Sequence, residues 1–263
     1  MCERLSAKDE SLLYGYAIHI QRYEFAAQWC TGRVVLDAGC GTGYGSWQLI
    51  RRGCREVTAV DVSPEAIEEA RDRYRSEHLR FLCGDLENMA SIIGLPERAE
   101  VIVNLENIEH LHRPKEFLAG ARSRLARPDG VLITSTPNGL LTEYDEHGRN
   151  VNPFHVKEFT REEFLELLAP FFGKIELFGQ WETTDGRLRQ AEDKRLFEQI
   201  CEAYYNPAAR LGRMLRRAFS RRVTQPPEFR AAGASYSWEY GIHPLDDQPF
   251  PWEPVVLVAV CSG

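Results

Sequence analysis

The stretch Val34-Val35-Leu36-Asp37-Ala38-Gly39-Cys40-Gly41-Thr42-Gly43 begins apolar, ends its apolar run on an acid, and then places glycine at alternate positions as far as Gly45. That order predicts a strand, a tight loop and the start of a helix. The pattern recurs along the chain. Val57-Thr58-Ala59-Val60-Asp61 is a second strand ending on an acid, and Ser63-Pro64-Glu65 supplies an N-cap with proline at the first helical position of a helix running to about Tyr74. Arg80 to Asp85 and Glu100 to Leu105 read as the third and fourth strands, Pro114 to Ala126 as a helix, and Val131 to Ser135 as the fifth strand. Strands alternating with helices at this spacing predict an α/β fold with a doubly wound, mostly parallel sheet covered on both faces. Ligands bind such sheets outside the carboxyl ends of the strands. Asp37, Asp61, Asp85 and Glu106 all fall at or just after those ends.

Outward from this region, Leu12, Leu13, Tyr16, Ile20, Tyr23, Phe25, Ala26 and Trp29 recur at helical spacing and predict amphipathic helices beside the first strand. Downstream come a helix from Arg161 to Leu168, a strand from Phe171 to Phe178, and a late apolar run, Val255 to Val260, suited to a final strand inserted in the sheet. Residues 1–180 and 253–263 therefore read as the core, and 181–252 as a cap or insertion over the active site. Trp181, Tyr236, Trp238, Tyr240, Phe250 and Trp252 are candidates for an aromatic pocket in that cap, with core packing the plainer reading of each.

Of the 263 residues, 43% are hydrophobic and 27% charged, which places the chain among globular proteins and excludes disordered and fibrous classes. It has no run of eighteen apolar residues and no apolar run near Met1, so neither a membrane span nor a secretion signal is expected and the cytoplasm is the default compartment. Seven cysteines, at 2, 30, 40, 54, 83, 201 and 261, form no CxxC pair and read as reduced thiols, with Cys40, Cys54 and Cys83 in or near buried segments. A net charge of -7 argues against an extended nucleic-acid surface. The local exception is Arg210 to Arg222, an amphipathic helix with a basic face on the plainer reading and a phosphate or membrane-surface contact on the other.

The glycine loop does not fit a dinucleotide fingerprint, which requires G-x-G-x-x-G for a pyrophosphate on the helix N-terminus. Counting six from Gly39 reaches Tyr44, and from Gly41 reaches Ser46. An acid directly before the loop suits a ligand with an amino group there instead of phosphates. At these residues the chain resembles the class I S-adenosylmethionine-dependent methyltransferases, which implies a Rossmann-like seven-stranded sheet and a cofactor site at Asp37, Gly39, Cys40, Gly41 and Gly43. The resemblance further implies that Asp61 and Val62 meet the ribose, that Asp85 and Leu86 meet the adenine, and that Arg22 or Tyr23 touches the carboxylate end.

Behind the fourth strand stands Glu106-Asn107-Ile108-Glu109-His110-Leu111-His112. On one helical turn Glu106, Glu109 and His110 would share a face, and two carboxylates with an imidazole can hold a divalent ion. A solvated helix start is the alternative. The E-x-x-E-H pattern resembles ubiquinone-pathway O-methyltransferases and small-RNA 3′-terminal 2′-O-methyltransferases. In the latter a second histidine follows a T-P-N segment, matched here by Thr136-Pro137-Asn138 and His155. Thr160 with Glu163 is also a capping box, a structural reason for part of the match. The resulting expectation is a Mg²⁺ or Mn²⁺ site of Glu106, Glu109, His110 and His155 that holds vicinal oxygens of the acceptor. Without a metal, His110 or His155 becomes the general base, with Glu106 beside it and with His112 and His19 as secondary candidates.

His19 to Ala27 and Asn152 to Thr160 resemble bacterial methyltransferases of polysaccharide and natural-product pathways. This implies a hydroxyl of a sugar, glycoside or secondary metabolite as acceptor. RNA 3′-terminal 2′-O-methylation and cofactor binding without catalysis stand as alternatives, and a homodimer is compatible with all three.

Overall fold

The computed structural model describes residues 13–126, 128–148, 150–182, 240–247 and 253–263. The elements are α1 (Leu13–Cys30), β1 (Val34–Ala38), α2 (Tyr44–Arg51), β2 (Glu56–Asp61), α3 (Pro64–Arg73), β3 (Leu79–Cys83), β4 (Val101–Asn104), α4 (Pro114–Arg124), β5 (Val131–Pro137), α5 (Arg161–Leu168), β6 (Lys174–Glu182), β7 (Tyr240–Pro244) and β8 (Val256–Ser262). Short 3-10 turns at Leu86–Ser91, Ile108–His110 and Gly139–Leu141 follow β3, β4 and β5.

The strands form one sheet in the order β3-β2-β1-β4-β5-β8-β6-β7. The first five are parallel, as the alternation with helices requires. β8 then lies antiparallel between β5 and β6, so the late apolar run is indeed inserted in the sheet. Successive side chains of a strand go to opposite faces. Val35, Val101, Val103 and Ile133 accordingly join one hydrophobic cluster with Tyr23 and Ala26 of α1, Leu49 of α2 and Ile67 of α3. Leu36, Ile102 and Leu132 join the other, with Phe117 and Leu118 of α4 and Phe164 and Leu168 of α5. The sheet is thus doubly wound, with apolar layers on both sides.

Local signals account for the helix starts. The Ser63 hydroxyl accepts from the Ala66 amide with Pro64 in the first turn, and Thr160 and Glu163 form the reciprocal capping box at α5. Among the described residues before β1, Leu13–Cys30 form one continuous helix rather than several.

Three expectations need correction. The sheet has eight strands among the described residues, not seven, because Tyr240–Pro244 pairs with the far edge of β6. β6 also runs on past Phe178 to Glu182, so Trp181 and Glu182 continue the core sheet instead of opening a cap. Trp181 is fully buried against His243, which makes it a packing residue. Cys83, expected in a buried segment, is exposed at the end of β3, whereas Cys40 and Cys54 are buried. Tyr236, Trp238, Phe250, Trp252, the remainder of the 183–252 segment apart from 240–247, and the basic run 210–222 lie outside the described residues.

Candidate active site

β1 and β4 are neighbours whose following segments depart toward opposite faces of the sheet, which opens a crevice at their carboxyl ends. The loop after β1 is pinned from below, since the Gly39 and Cys40 amides donate to the Val60 carbonyl at 2.8 and 2.9 Å. Gly39 and Gly41 have φ of 90° and 53°, in the left-handed region that only glycine enters without strain. A side chain at Gly39 would collide with Asn107, whereas one at Gly41 would meet nothing within 4 Å. Gly41 thus faces open space, as a cradle for a ligand requires. Behind the loop, Asn104 of β4 donates to the Ala38 carbonyl at 2.7 Å and accepts from the Thr134 hydroxyl, locking three strand ends together.

Each expected cofactor residue can now be placed. Asp37 is fully buried and accepts from the Ser46 hydroxyl at 2.6 Å and from the Tyr23 hydroxyl at 3.2 Å. Burial pushes its carboxyl up to about 7, against the lowering effect of those two hydroxyls, and the charge of Asp61 adds to the rise. Asp61 accepts from the Gly41 amide on Oδ2 and from the Ser63 amide on Oδ1, both at 2.9 Å. Val62 beside it is 64% exposed and Leu86 is buried, while Asp85 is exposed and caps the 3-10 turn after β3 by accepting from the Glu87 amide. Cys40 is buried in the loop.

Arg22 and Tyr23 are not free at the crevice. Arg22 is buried, donates to Gln180 of β6 at 2.7 Å and lies 3.7 Å from the Glu106 carboxylate. The Tyr23 hydroxyl is given to Asp37.

The helical face expected to gather Glu106, Glu109 and His110 does not form. Glu106 has φ of 48° and the turn behind it is 3-10, so the regular helical spacing of the three side chains is lost. Glu106 turns to Arg22 and accepts from the Ser135 hydroxyl at 2.7 Å. Glu109, His110 and His155 do come together, with one donor atom from each within 4.8 Å of the others. His155, expected here from the segment after Thr136-Pro137-Asn138, arrives between β5 and α5. That segment is docked by the Val156 and Lys157 amides, which donate to the Glu109 carbonyl at 2.8 and 3.2 Å. The His110 and His155 rings meet edge to face, with centroids 4.9 Å apart. Glu109 is 1% exposed, and burial first, then the charge of Glu106, hold its carboxyl well above the usual carboxylate range. His19 pairs with the Tyr44 hydroxyl and is held below its usual range by burial and by Arg22, and His112 is exposed.

Two buried side-chain atoms near the ends of β4 and β5, Arg22 Nε and Asn107 Nδ2, make no hydrogen bond among the described residues, while the Glu109 carboxylate and the Thr136 hydroxyl face each other there. A buried donor without a partner costs about 1–3 kcal/mol, as at a place where a ligand completes the bonding. The sequence pattern gave no sign of Asn107, Ser135, Gln180 or Ser46. Glu158 alone carried a local signal, standing three residues after His155.

The fold is that of the class I S-adenosylmethionine-dependent methyltransferases. A methyltransferase of that description from Archaeoglobus fulgidus superposes with a TM-score of 0.57 over 94% of this chain and 93% of its own, at 15% identity, a likeness of fold alone. Residues 35–130 match the family model described as a methyltransferase domain, so this stretch is an enzyme domain of the methyl-transferring class. A Mycolicibacterium smegmatis protein named "Probable S-adenosylmethionine-dependent methyltransferase" is 36% identical over 156 residues, 59% of this chain and 57% of that protein. The mitochondrial ubiquinone biosynthesis O-methyltransferase of Schizosaccharomyces pombe is 35% identical over 116 residues, 42% of this chain and 40% of that protein. The chain therefore spans roughly half the length of the curated relatives it matches.

Proposed function

We propose that the protein is an S-adenosylmethionine-dependent O-methyltransferase whose acceptor hydroxyl is received by Glu109, His110 and His155. The observation that carries this reading is the convergence of Glu109, His110 and His155, with one donor atom from each within 4.8 Å of the others, beside a glycine loop open to a ligand. The residues fit the cofactor: Gly41 leaves room for its methionine portion, Asp37 lies under the loop where an ammonium would be held, and Asp61 at the end of β2 is an acceptor of the kind two ribose hydroxyls need. When bound, S-adenosylmethionine supplies an electrophilic methyl group on its sulfonium. The chain's own work is then to orient the acceptor oxygen, keep water away and take one proton.

His110 is placed for that proton. Its Nδ1 lies 2.9 Å from the Phe154 carbonyl, which can only accept, so Nδ1 carries the hydrogen and the Nε2 lone pair is available as a base. The same three side chains also fit a divalent ion, since the Glu109 carboxylate stands with two imidazoles. One oxygen and two nitrogens suit Mn²⁺ better than Mg²⁺, which prefers oxygen ligands, and Glu106 is committed to Arg22 and Ser135. An ion there would hold the acceptor oxygens and ease loss of the proton.

The same segment exposes Leu140, Leu141, Tyr144, Val151, Phe154 and Val156. An apolar rim beside the histidines favours a small acceptor with an apolar face, such as a glycoside or secondary metabolite, over RNA. The test is methyl transfer from labelled S-adenosylmethionine to a panel of diol-bearing glycosides and phenols, with Mn²⁺ or with chelator. Transfer abolished in His110→Ala is expected. Tight S-adenosylhomocysteine binding with no transfer to any acceptor would support a cofactor-binding protein without catalysis instead, and activity indifferent to chelator would remove the metal.

A further inference from the structure

The segment from Thr142 to Glu158 does more than bring His155 to the site. The Glu158 carboxylate accepts three hydrogen bonds: from His155 Nδ1 and from Asn150 at 3.0 Å on one oxygen, and from the Thr142 hydroxyl at 2.6 Å on the other. The His155 and Glu158 side chains are only 11% and 10% exposed. We propose that Glu158 is the positioning residue of His155, fixing the ring proton on Nδ1 so that the lone pair stands on Nε2, where the Asn152 amide donates and an ion or an acceptor proton would take its place. This rests on reading Glu109, His110 and His155 as the acceptor site.

The Thr142 hydroxyl and the Asn150 amide both donate to the Glu158 carboxylate, and the neighbour across the ring fixes which imidazole nitrogen joins them as a donor. On the other side of the ring the Asn152 amide nitrogen lies 2.9 Å from Nε2. That amide cannot be turned round, because its oxygen accepts from the Phe154 amide at 3.0 Å. Asn152 therefore donates and Nε2 accepts. A histidine free in water prefers its proton on Nε2, so this arrangement is imposed by the fold. His110 shows the same arrangement, with the Phe154 carbonyl in the place of Glu158. One segment thus orients both imidazoles alike, as outer carboxylates and carbonyls do for metal-binding or proton-accepting histidines.

The alternative is that Glu158 only staples the segment through Thr142 and Asn150. Nitrogen-detected proton correlation spectra of the full chain labelled at histidine, recorded at alkaline pH with His155 assigned by its loss in His155→Gln, separate the two. Wild type and Asn152→Ala are expected to show the proton on Nδ1, and Glu158→Ala combined with Asn152→Ala to move it to Nε2. Glu158→Gln, which keeps an accepting oxygen, should retain Nδ1, and so should Thr142→Val, which weakens the staple alone. Mn²⁺ affinity by calorimetry is expected to fall about 10–100-fold in Glu158→Ala. A proton on Nε2 in wild type or in Asn152→Ala, or an unchanged tautomer in the folded double variant, would overturn the proposal. Should Glu158→Ala fail to fold, the wild-type and Thr142→Val spectra still decide. No Mn²⁺ binding by wild type would overturn the metal reading while the tautomer result stands for Glu158.

Discussion

Glu109 buries a carboxylate beside a second one, and burial together with Glu106 raises its pKa well above the usual range. A raised acid pKa gives stability that is fully present below the unfolded value near 4 and is lost as pH rises through the folded value. Glu109→Gln, neutral throughout, is therefore expected to raise the melting temperature of the ligand-free chain at pH 8, by about 2–4 °C for each kcal/mol relieved. It should abolish Mn²⁺ binding at the same time. A melting temperature below wild type at pH 8 would show that the carboxylate is structural. Asp37, held at about 7 by burial against the Ser46 and Tyr23 hydroxyls, follows the same sign. Its contribution to stability is complete below about pH 4 and gone above 7, while its negative charge, needed opposite an ammonium, is gained over that range. S-adenosylhomocysteine affinity measured by calorimetry is expected to strengthen from pH 6 to pH 8 in wild type and to lose that pH dependence in Asp37→Asn. A flat wild-type profile would count against an Asp37 contact with the amino group.

At the scale of elements, the loop between β1 and α2 and the turn after β4 face each other across the crevice. They share the Gly39–Asn107 contact, while Gly41 faces open space. Gly41→Ala and Gly39→Ala both place a side chain in left-handed backbone, at a cost of about 1–2 kcal/mol. Only at Gly39 does the new carbon also strike Asn107, 2.6 Å away. Gly39→Ala is therefore expected to be the less stable in urea, whereas Gly41→Ala should keep most of its stability and lose S-adenosylhomocysteine binding. Equal binding by Gly41→Ala and wild type would mean that the ligand does not lie against this loop. The helix starts at Ser63 and Thr160 were legible in the sequence because their caps are local hydrogen bonds. The turn carrying Glu109 was not. A helical turn was the expectation from E-x-x-E-H spacing, yet Glu106 takes left-handed backbone and its carboxylate goes to Arg22, which comes from α1 far away in sequence.

At the scale of the whole molecule, a ligand that binds only the folded state stabilises all of it. S-adenosylhomocysteine at a hundredfold excess over its dissociation constant is expected to add about 2.7 kcal/mol, or about 5–10 °C in melting temperature, by scanning calorimetry. A nicotinamide dinucleotide should add nothing, since its pyrophosphate lacks the third glycine and would lie over Asp37. A shift with the dinucleotide instead would reverse the reading of the loop. The sheet itself was largely legible because five parallel strands, buried on both faces, carry continuous apolar runs. β7 was not, since Tyr240-Gly241-Ile242-His243-Pro244 contains glycine and proline and is tolerated as a strand only at the edge, against β6.

The sequence by itself determined the doubly wound α/β class, the succession of the first five strands along the chain, the glycine loop with its following acids, and the approach of a distant histidine to Glu109 and His110. These follow from local periodicity, capping and short spacing, together with a family likeness at the motif residues. Tertiary structure alone decided the order of the strands in the sheet, that Glu106 meets Arg22 and Ser135, that Asp37 accepts from Tyr23 and Ser46, that Trp181 belongs to the core, and that Glu158 meets His155. The physical reason is the same in each case. The side chains that settle where a buried charge or ring points are supplied by other elements, and their approach is fixed only when the sheet and its two helical layers have packed.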